Sequence, residues 1–389
     1  MTQSNQMSIG IVADDLTSAT DAAAPFLIKG YAPLIGSGAT CLEYASLVSL
    51  NTNSRLASIA GAKTAMAAAV SLLKERRLLL KTIDSTLRGH IHAEVVAAFA
   101  ESRRKRLVIA PAFPDAGRNT VGGIQTVAGI PVSESAYALD PVHPARTSRI
   151  VDLVDPCLGS PVVLAQDSSE EAVRSSADAR VLILDADSQR ALNCQVSRIP
   201  DPETVLWVGA PGLAMALATL VPGIGDQPPA EPDRTCERVL IVAGSANPAT
   251  HEQCAALQTA GVPVVFDLTK GPRDVPIRCL RAPCERRANA GEVLTQLTRQ
   301  AAAALARREC DAVIATGGET MATILERLDI SRFVLSREIE PGFPVGWAEL
   351  ADGTPLAIAM KAGGFGSPLT LLRAAQQLLS PRVMSYVHS

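Results

Sequence analysis

Residues 7–24 read MSIGIVADDLTSATDAAA. The first seven have the apolar run of a strand buried on both faces, Asp14 and Asp15 close it, and Thr17 leads into a helix predicted from about Ala19 to Lys29. Strand, polar loop and helix make the repeating unit of a parallel α/β sheet, and the unit recurs. Residues 78–83 are a second such strand ending at Asp84, followed by a helix near Ile91–Ser102 and a strand Arg106–Ala110 that stops at Pro111. Strands over 179–185 and 204–208 continue the alternation. Polar residues thus gather at strand carboxyl ends, where open parallel sheets bind their ligands.

A chain of 389 residues exceeds the roughly 250 to 300 that one core supports, so two domains are expected. Residues 222–233 (PGIGDQPPAEPD) concentrate proline, glycine and acid without apolar periodicity. They divide the chain into a first domain, 1–221, a linker, 222–235, and a second domain, 236–389. Beyond the linker, strands are predicted over 238–242, 263–266, 312–315 and 355–360, with helices over 250–260 and 290–308. The fold class is therefore α/β, two domains with mainly parallel sheets and an active site in the crevice between them.

Composition excludes several functions. A net charge of -3 without a basic, aromatic-interleaved patch speaks against nucleic acid. No apolar run reaches the roughly 18 residues of a membrane span, and the polar start fits no targeting peptide, so a cytoplasmic protein is expected. Eight cysteines without a C-x-x-C pair read as idle thiols. His90 and His92 lack a third ligand nearby in sequence, and no metal site is assigned to them.

Chemistry-bearing residues fall into two sets. In the second half, strands run into Gly244-Ser245, into Gly317-Gly318-Glu319-Thr320, and into Gly363-Gly364-Phe365-Gly366. Glycines let backbone N–H groups approach phosphate, and a following helix start adds a positive dipole, so the three loops together suit a polyanion. Neither a Walker A pattern nor a dinucleotide fingerprint is present, which disfavours a P-loop fold and a dehydrogenase. In the first half stand Asp14, Asp15 and Thr17, then Asp84, Ser85, Thr86 and Arg88, then Arg118. Carboxylates accept hydrogen bonds from hydroxyls and arginine forks engage carboxylates, so the set suits a polyhydroxy acid. Equally, the acids can cap helices and the arginines pair with them.

These residues resemble a known family, the four-carbon acid sugar kinases. The matching stretches are 11–24 (IVADDLTSATDAAA), 81–89 (KTIDSTLRG), 109–129 (IAPAFPDAGRNTVGGIQTVAG), 316–320 (TGGET), 338–344 (EIEPGFP) and 361–366 (KAGGFG), in family order along nearly the whole chain. The resemblance implies a sugar-acid-binding N-terminal domain and a nucleotide-binding C-terminal domain. It implies an ATP- and Mg²⁺-dependent kinase acting on the terminal (4-) hydroxyl of threonate, erythronate or an oxo-tetronate. Carried over, Asp14 and Asp15 are catalytic candidates, while Thr17, Arg55, Asp84, Ser85, Arg88 and Arg118 line the sugar-acid side. Ser245, Gly317, Gly318, Glu319, Thr320, Lys361, Gly363, Gly364 and Gly366 fall on the nucleotide side. The expected partners are the sugar acid and ATP, with a homodimer admitted and neither nucleic acid nor membrane.

The chain departs from the family pattern at Ser18, where glycine is common, at Asn53, where aspartate is usual, and at His90, where asparagine is common. Either aspartate is a base candidate, its pKa raised by burial at a strand end. Lys361 is read either as a phosphate ligand or as a structural cation, and Glu319 as a Mg²⁺ or ribose ligand or as a helix cap. A non-catalytic sugar-acid sensor on the same fold is the alternative to an enzyme.

Overall fold

The computed structural model describes residues 7–38, 45–140, 143–176, 178–225, 236–283 and 290–379. Most of the expected linker, Cys41 and Cys284 lie outside the described residues. Two compact units are resolved, Met1–Pro228 and Pro229–Ser389. Pro222 and Ile224 belong by their contacts to the first, since the Pro222 carbonyl accepts from Tyr31 Oη and the Ile224 N–H donates to Lys29 O.

The first unit carries β1 (Ile9–Ala13), β2 (Leu34–Gly36), β3 (Leu47–Asn51), β4 (Leu78–Thr82), β5 (Arg106–Ala110), β6 (Arg118–Val121), β7 (Ile124–Val127), β8 (Ile130–Pro131), β9 (Val162–Leu164), β10 (Val181–Leu184) and β11 (Val205–Gly209). Its helices are α1 (Leu16–Ala23), α2 (Ile59–Leu73), α3 (Ile91–Ser102), α4 (Glu170–Ser175), α5 (Gln189–Arg198) and α6 (Pro211–Leu220). The main sheet is parallel throughout, in the order β2, β3, β1, β4, β11, β5, β10, β9. β1, β3, β4, β10 and β11 are buried at every position, as a sheet covered by helices on both faces requires. β6, β7 and β8 form a small antiparallel sheet. Asp185, just past β10, accepts from the N–H groups of Gly122 (2.6 Å) and Gly123 (2.9 Å) at its turn.

One expectation is corrected here. The first helix does not run to Lys29; α1 stops at Ala23 and a 3₁₀ segment, Ala24–Lys29, replaces it. Pro25 has no N–H for an α-type hydrogen bond, and its ring crowds the carbonyl four residues before it. Gly30, at φ 81°, then ends the segment in the left-handed region.

The second unit carries β12 (Val239–Ala243), β13 (Val264–Val265), β14 (Ile277–Arg281), β15 (Ala312–Thr316), β16 (Arg332–Glu338), β17 (Pro344–Glu349) and β18 (Pro355–Lys361), with α7 (Pro248–Thr259), α8 (Ala290–Ala306), α9 (Gly318–Arg327) and α10 (Thr370–Leu378). β13, β14, β12, β15 and β18 pair in parallel, and β17 and β16 add to β18 as an antiparallel edge. Cys254, Leu257, Ile314, Ala359, Leu371 and Leu378 are among the side chains of its core. No helix among the described residues is long and apolar enough to cross a membrane. The described cysteines are free thiols.

Each parallel sheet has a strand from which the chain builds first to one side and then to the other. In the first unit β1 sits between β3 and β4, and in the second β12 sits between β14 and β15. Ligands bind at such switch points, outside the strand carboxyl ends. Asp14 follows β1 and Asp84 lies just past β4, while Gly244-Ser245 follows β12 and Gly317 follows β15.

Candidate functional site

The first half-site is built on Arg55. Its Nε and Nη2 reach the two oxygens of Asp14 at 2.7 and 2.9 Å, a two-bonded fork. Nη1 meets Asp15 Oδ2 and Nη2 also donates to Ser18 Oγ at 3.3 Å. Asp15 is at the same time the N-cap of α1, its Oδ1 accepting from the Ser18 N–H at 2.6 Å. The loop that carries Arg55 is tied back to β1, because the N–H groups of Ser54 and Arg55 both donate to Asp14 O. Gly89 permits this close packing: at φ 99°, a Cβ there would stand 3.3 Å from Asp14 Oδ2.

Beneath the aspartates lies a buried pair. Lys81 Nζ is 2.7 Å from Glu94 Oε2, both side chains 1% exposed. Ser54 donates to Glu94 Oε1 at 2.9 Å and shares a 2.7 Å hydrogen bond with Thr52. The position of Lys81 was foreshadowed by a lone charge at the end of an apolar strand; nothing in the sequence pointed to Glu94.

The two aspartates are not equivalent. For Asp14 burial raises the pKa, but Arg55 and Lys81 together outweigh it and hold the carboxyl below the usual range. This corrects the expectation that burial would raise it. For Asp15 burial prevails and the neighbouring Asp14 charge adds to it against Arg55, so that carboxyl lies above its ordinary value.

Arg88 is engaged as fully as Arg55. Its Nη2 bonds Asp84 Oδ2 at 2.7 Å, Nη1 reaches Asp140 Oδ2 at 3.2 Å, and Nε donates to Thr86 Oγ1 at 3.0 Å. Asp84 also accepts from the Thr86 N–H at 2.7 Å. Burial raises the Asp84 pKa, yet Arg88 and Arg55 bring it below the usual range. The Arg88 guanidinium lies 5.2 Å from the centre of the Tyr137 ring, a cation–π contact. Tyr137 Oη in turn accepts from Arg118 Nη2 at 3.3 Å, while Arg118 Nη1 bonds Ala116 O at 2.7 Å. Tyr137 and Asp140 carried no signal in sequence. Ser85 contributes its carbonyl to Gln125 Nε2, and Thr17 its carbonyl to Thr20 Oγ1. His90 bonds Ala57 O and faces the His143 ring at 4.9 Å, while His92 is exposed.

The second half-site is the row of loops after β12, β15 and β18, which are adjacent in the sheet. In the loop after β18, Lys361 is fully buried and donates to Ala362 O at 3.1 Å and Phe365 O at 2.9 Å. Thr250 holds Gly363 O at 2.8 Å, and Gln253 Nε2 holds Phe365 O and Ser367 O at 2.9 and 3.0 Å. The loop carbonyls are thus drawn inward, and among the described residues no partner meets the N–H groups of Gly363, Gly364 and Gly366. Such an array of outward donors suits phosphate oxygens. Burial lowers the Lys361 pKa to about 8, and its amine braces the loop from inside. Gly317, at φ 95°, starts α9 without a side-chain cap, which leaves the first-turn N–H groups of Gly318 and its neighbours for a ligand. Glu319 is exposed in that turn, whereas Thr320 is buried against Gly244, where a Cβ would meet Thr320 Oγ1 at 2.3 Å. Ser245 receives the Asn247 N–H at 3.2 Å.

With these half-sites in view, comparison with known proteins is decisive. Residues 9–217 match the model of a sugar-binding N-terminal domain and residues 258–371 that of a nucleotide-binding C-terminal domain. A D-threonate kinase of Bordetella bronchiseptica is 32% identical over 96% of this chain and 98% of its own. The chain belongs to the four-carbon acid sugar kinase family. A 3-oxo-tetronate kinase of Salmonella typhimurium is 27% identical over 95% of this chain and 99% of its own. The fold agrees with a solved Salmonella typhimurium structure at TM-score 0.78 and 23% identity, covering 96% of this chain and all of the other. A Haemophilus influenzae structure agrees at 0.70 and 19% identity, covering 95% and 100%. This member of the family is a four-carbon sugar acid kinase, an ATP-dependent phosphotransferase with a sugar-binding and a nucleotide-binding domain.

Proposed function

We propose that the protein transfers the γ-phosphoryl group of ATP to the terminal (4-) hydroxyl of D-threonate or D-erythronate. The observation that carries this reading is the Asp14–Arg55–Asp15 constellation at the switch point of the sugar-binding domain. It offers ionised acceptors for sugar hydroxyls and holds them rigidly. Phosphoryl transfer asks the protein mainly to align the attacking oxygen and neutralise charge. In this reading Asp15, the more basic of the two carboxylates, accepts the proton of the attacking hydroxyl, and Asp14 stays ionised to orient Arg55. ATP fits the outward N–H groups of the loop after β18 and the uncapped start of α9. Among the described residues no three acidic, histidine or cysteine side chains cluster into a metal cage. Mg²⁺ would fit as the companion of the triphosphate and supply charge neutralisation there, with Glu319 an exposed acid in the first turn of α9.

A 3-oxo-tetronate is the second reading, supported by relatives bearing that name. Asn53, exposed and at φ 49°, is a residue at which the two substrates would be told apart. The test is an ADP-release assay over D-threonate, D-erythronate, L-threonate and 3-oxo-tetronates. Turnover of a tetronate is expected; nucleotide binding without turnover of any of them would leave the sensor alternative standing in place of this reading.

A further inference from the structure

A four-carbon acid has one charged end, and the sugar-binding domain offers four cations near its site. Three have carboxylate partners from the protein itself: Arg55 holds Asp14 and Asp15, Arg88 holds Asp84 and Asp140, and Lys81 holds Glu94. A substrate carboxylate brought to any of these would meet one or two fixed carboxylates beside it. Like charges at 4 Å repel by about 4 kcal/mol at the effective dielectric of a protein surface. Arg118 differs. Its Nη1 and Nη2 go to a carbonyl, Ala116 O, and to a neutral hydroxyl, Tyr137 Oη, and among the described residues its buried Nε meets no hydrogen-bond partner. Among the described residues it has no carboxylate within salt-bridge distance.

We propose that Arg118, oriented by Tyr137, receives the carboxylate of the sugar acid, and that Arg55 and Arg88 instead shape the site by holding its aspartates. This rests on the sugar-acid reading above and deepens it, because it gives the substrate a direction. The acid end lies toward β6, where Arg118 begins the antiparallel insertion, and the terminal hydroxyl toward Asp14 and Asp15 after β1. Tyr137 is suited to its part: the ring is pinned under Arg88 while the hydroxyl sets Arg118, so one side chain fixes the spacing between an aspartate-bound and an aspartate-free arginine. The consequence is a selectivity for charge carried by one guanidinium.

The experiment compares the preferred tetronate with its neutral amide, under saturating ATP, in the wild type, Arg118→Gln, Arg118→Lys and Tyr137→Phe. Loss of a charge-assisted pair predicts that Arg118→Gln raises the acid KM by about thirtyfold to a thousandfold. Its kcat/KM for the amide should change less than about threefold, so the acid-over-amide preference collapses. Arg118→Lys should restore part of the preference, and Tyr137→Phe should raise the acid KM by about three- to tenfold with an unchanged melting temperature. An Arg118→Gln enzyme that keeps the wild-type preference, or that loses acid and amide turnover equally, overturns the assignment. If that variant unfolds, Arg118→Lys and Tyr137→Phe decide the matter by the same ratio. A wild type that phosphorylates none of the tetronates would instead refute the functional reading itself.

Discussion

Adding a single methyl group at Gly363 should damage nucleotide binding while leaving the sugar-acid side intact. An alanine Cβ at this position would stand 2.0 Å from Ser245 Oγ and 2.6 Å from Ser245 Cβ, distances that real side chains do not adopt. The loop after β18 has nowhere to retreat, since Thr250 holds the Gly363 carbonyl at 2.8 Å from a position buried in α7. Overpacking of this kind costs roughly 1 to 3 kcal/mol, which corresponds to a KM for ATP raised by about fivefold to 150-fold in Gly363→Ala. The KM for the sugar acid should stay within about twofold, because Gly363 lies in the other domain.

The clash has a defined partner, and the partner can be removed. Ser245→Gly alone should cost about 0.5 to 1.5 kcal/mol, the hydroxyl that receives the Asn247 N–H being lost. In Gly363→Ala/Ser245→Gly the new methyl group has room, so the double variant should bind ATP better than Gly363→Ala. The coupling energy from steady-state kinetics should be about 1 kcal/mol or more. Gly364→Ala is the milder comparison: its Cβ would meet Asn247 Nδ2 at 3.0 Å, so it should raise the KM for ATP less than Gly363→Ala does. A Gly363→Ala enzyme with wild-type ATP affinity and melting point, or a double variant no better than the single, would refute the reasoning.

Arg88→Met should lose about 2 to 4 kcal/mol of stability, since it removes the guanidinium that Asp84 and Asp140 share, and denaturant melts at pH 7 will measure it. Asp84 is held below its ordinary pKa, so the stability it contributes is whole above about pH 4 and is lost as pH falls through the lowered value; in Arg88→Met this acid limb should flatten, and an unchanged limb would count against the pairing. Asp15→Asn keeps an oxygen to cap α1 but loses the base, so kcat should fall about a hundredfold or more with a melting point close to wild type. A wild-type kcat would exclude Asp15 as base. The fragment 236–389 should bind ATP·Mg²⁺ weakly by calorimetry, because the three glycine loops all lie within it. A folded fragment without affinity would count against dividing the chain there.

Parallel strands were the most legible part of the fold. Residues 9–13, 78–80, 107–110 and 312–315 are continuous apolar runs because helices cover both sheet faces, and each stops near where a polar loop must reach solvent. The antiparallel parts were not read from sequence. β6, β7 and β8 span only two to four residues each, too few for a period of two to declare itself, and β8 contains a proline. β16 and β17 are an edge whose pairing depends on β18 being beside them. Ala-rich α2 is faint in the sequence for another reason: Ala60, Ala62, Ala67 and Ala68 give a weak contrast between its buried and exposed faces.

The site divides along the same line. Glycines after strands and aspartates at strand ends carry local signals, since a backbone approach or a helix cap is decided within a few residues. Charge pairing is decided by residues apart in the chain: Arg55 meets Asp14 from 41 positions away, Arg88 meets Asp140 from 52, and Lys81 in β4 reaches Glu94 in α3. Sequence therefore singles out residues that the fold gathers at strand ends and leaves their roles open, with Arg88 and Arg118 both expected on the sugar-acid side and Lys361 as either ligand or brace. Once the pairs are in place, local chemistry reverses the emphasis. The arginine most deeply committed to the protein is the least free to bind an acid, and a lysine enclosed by its own loop carbonyls braces the loop after β18 from within. Arg118 follows from that same account, because Arg55, Arg88 and Lys81 each already hold a carboxylate, and the guanidinium that among the described residues faces neutral oxygens is the one with charge left to offer.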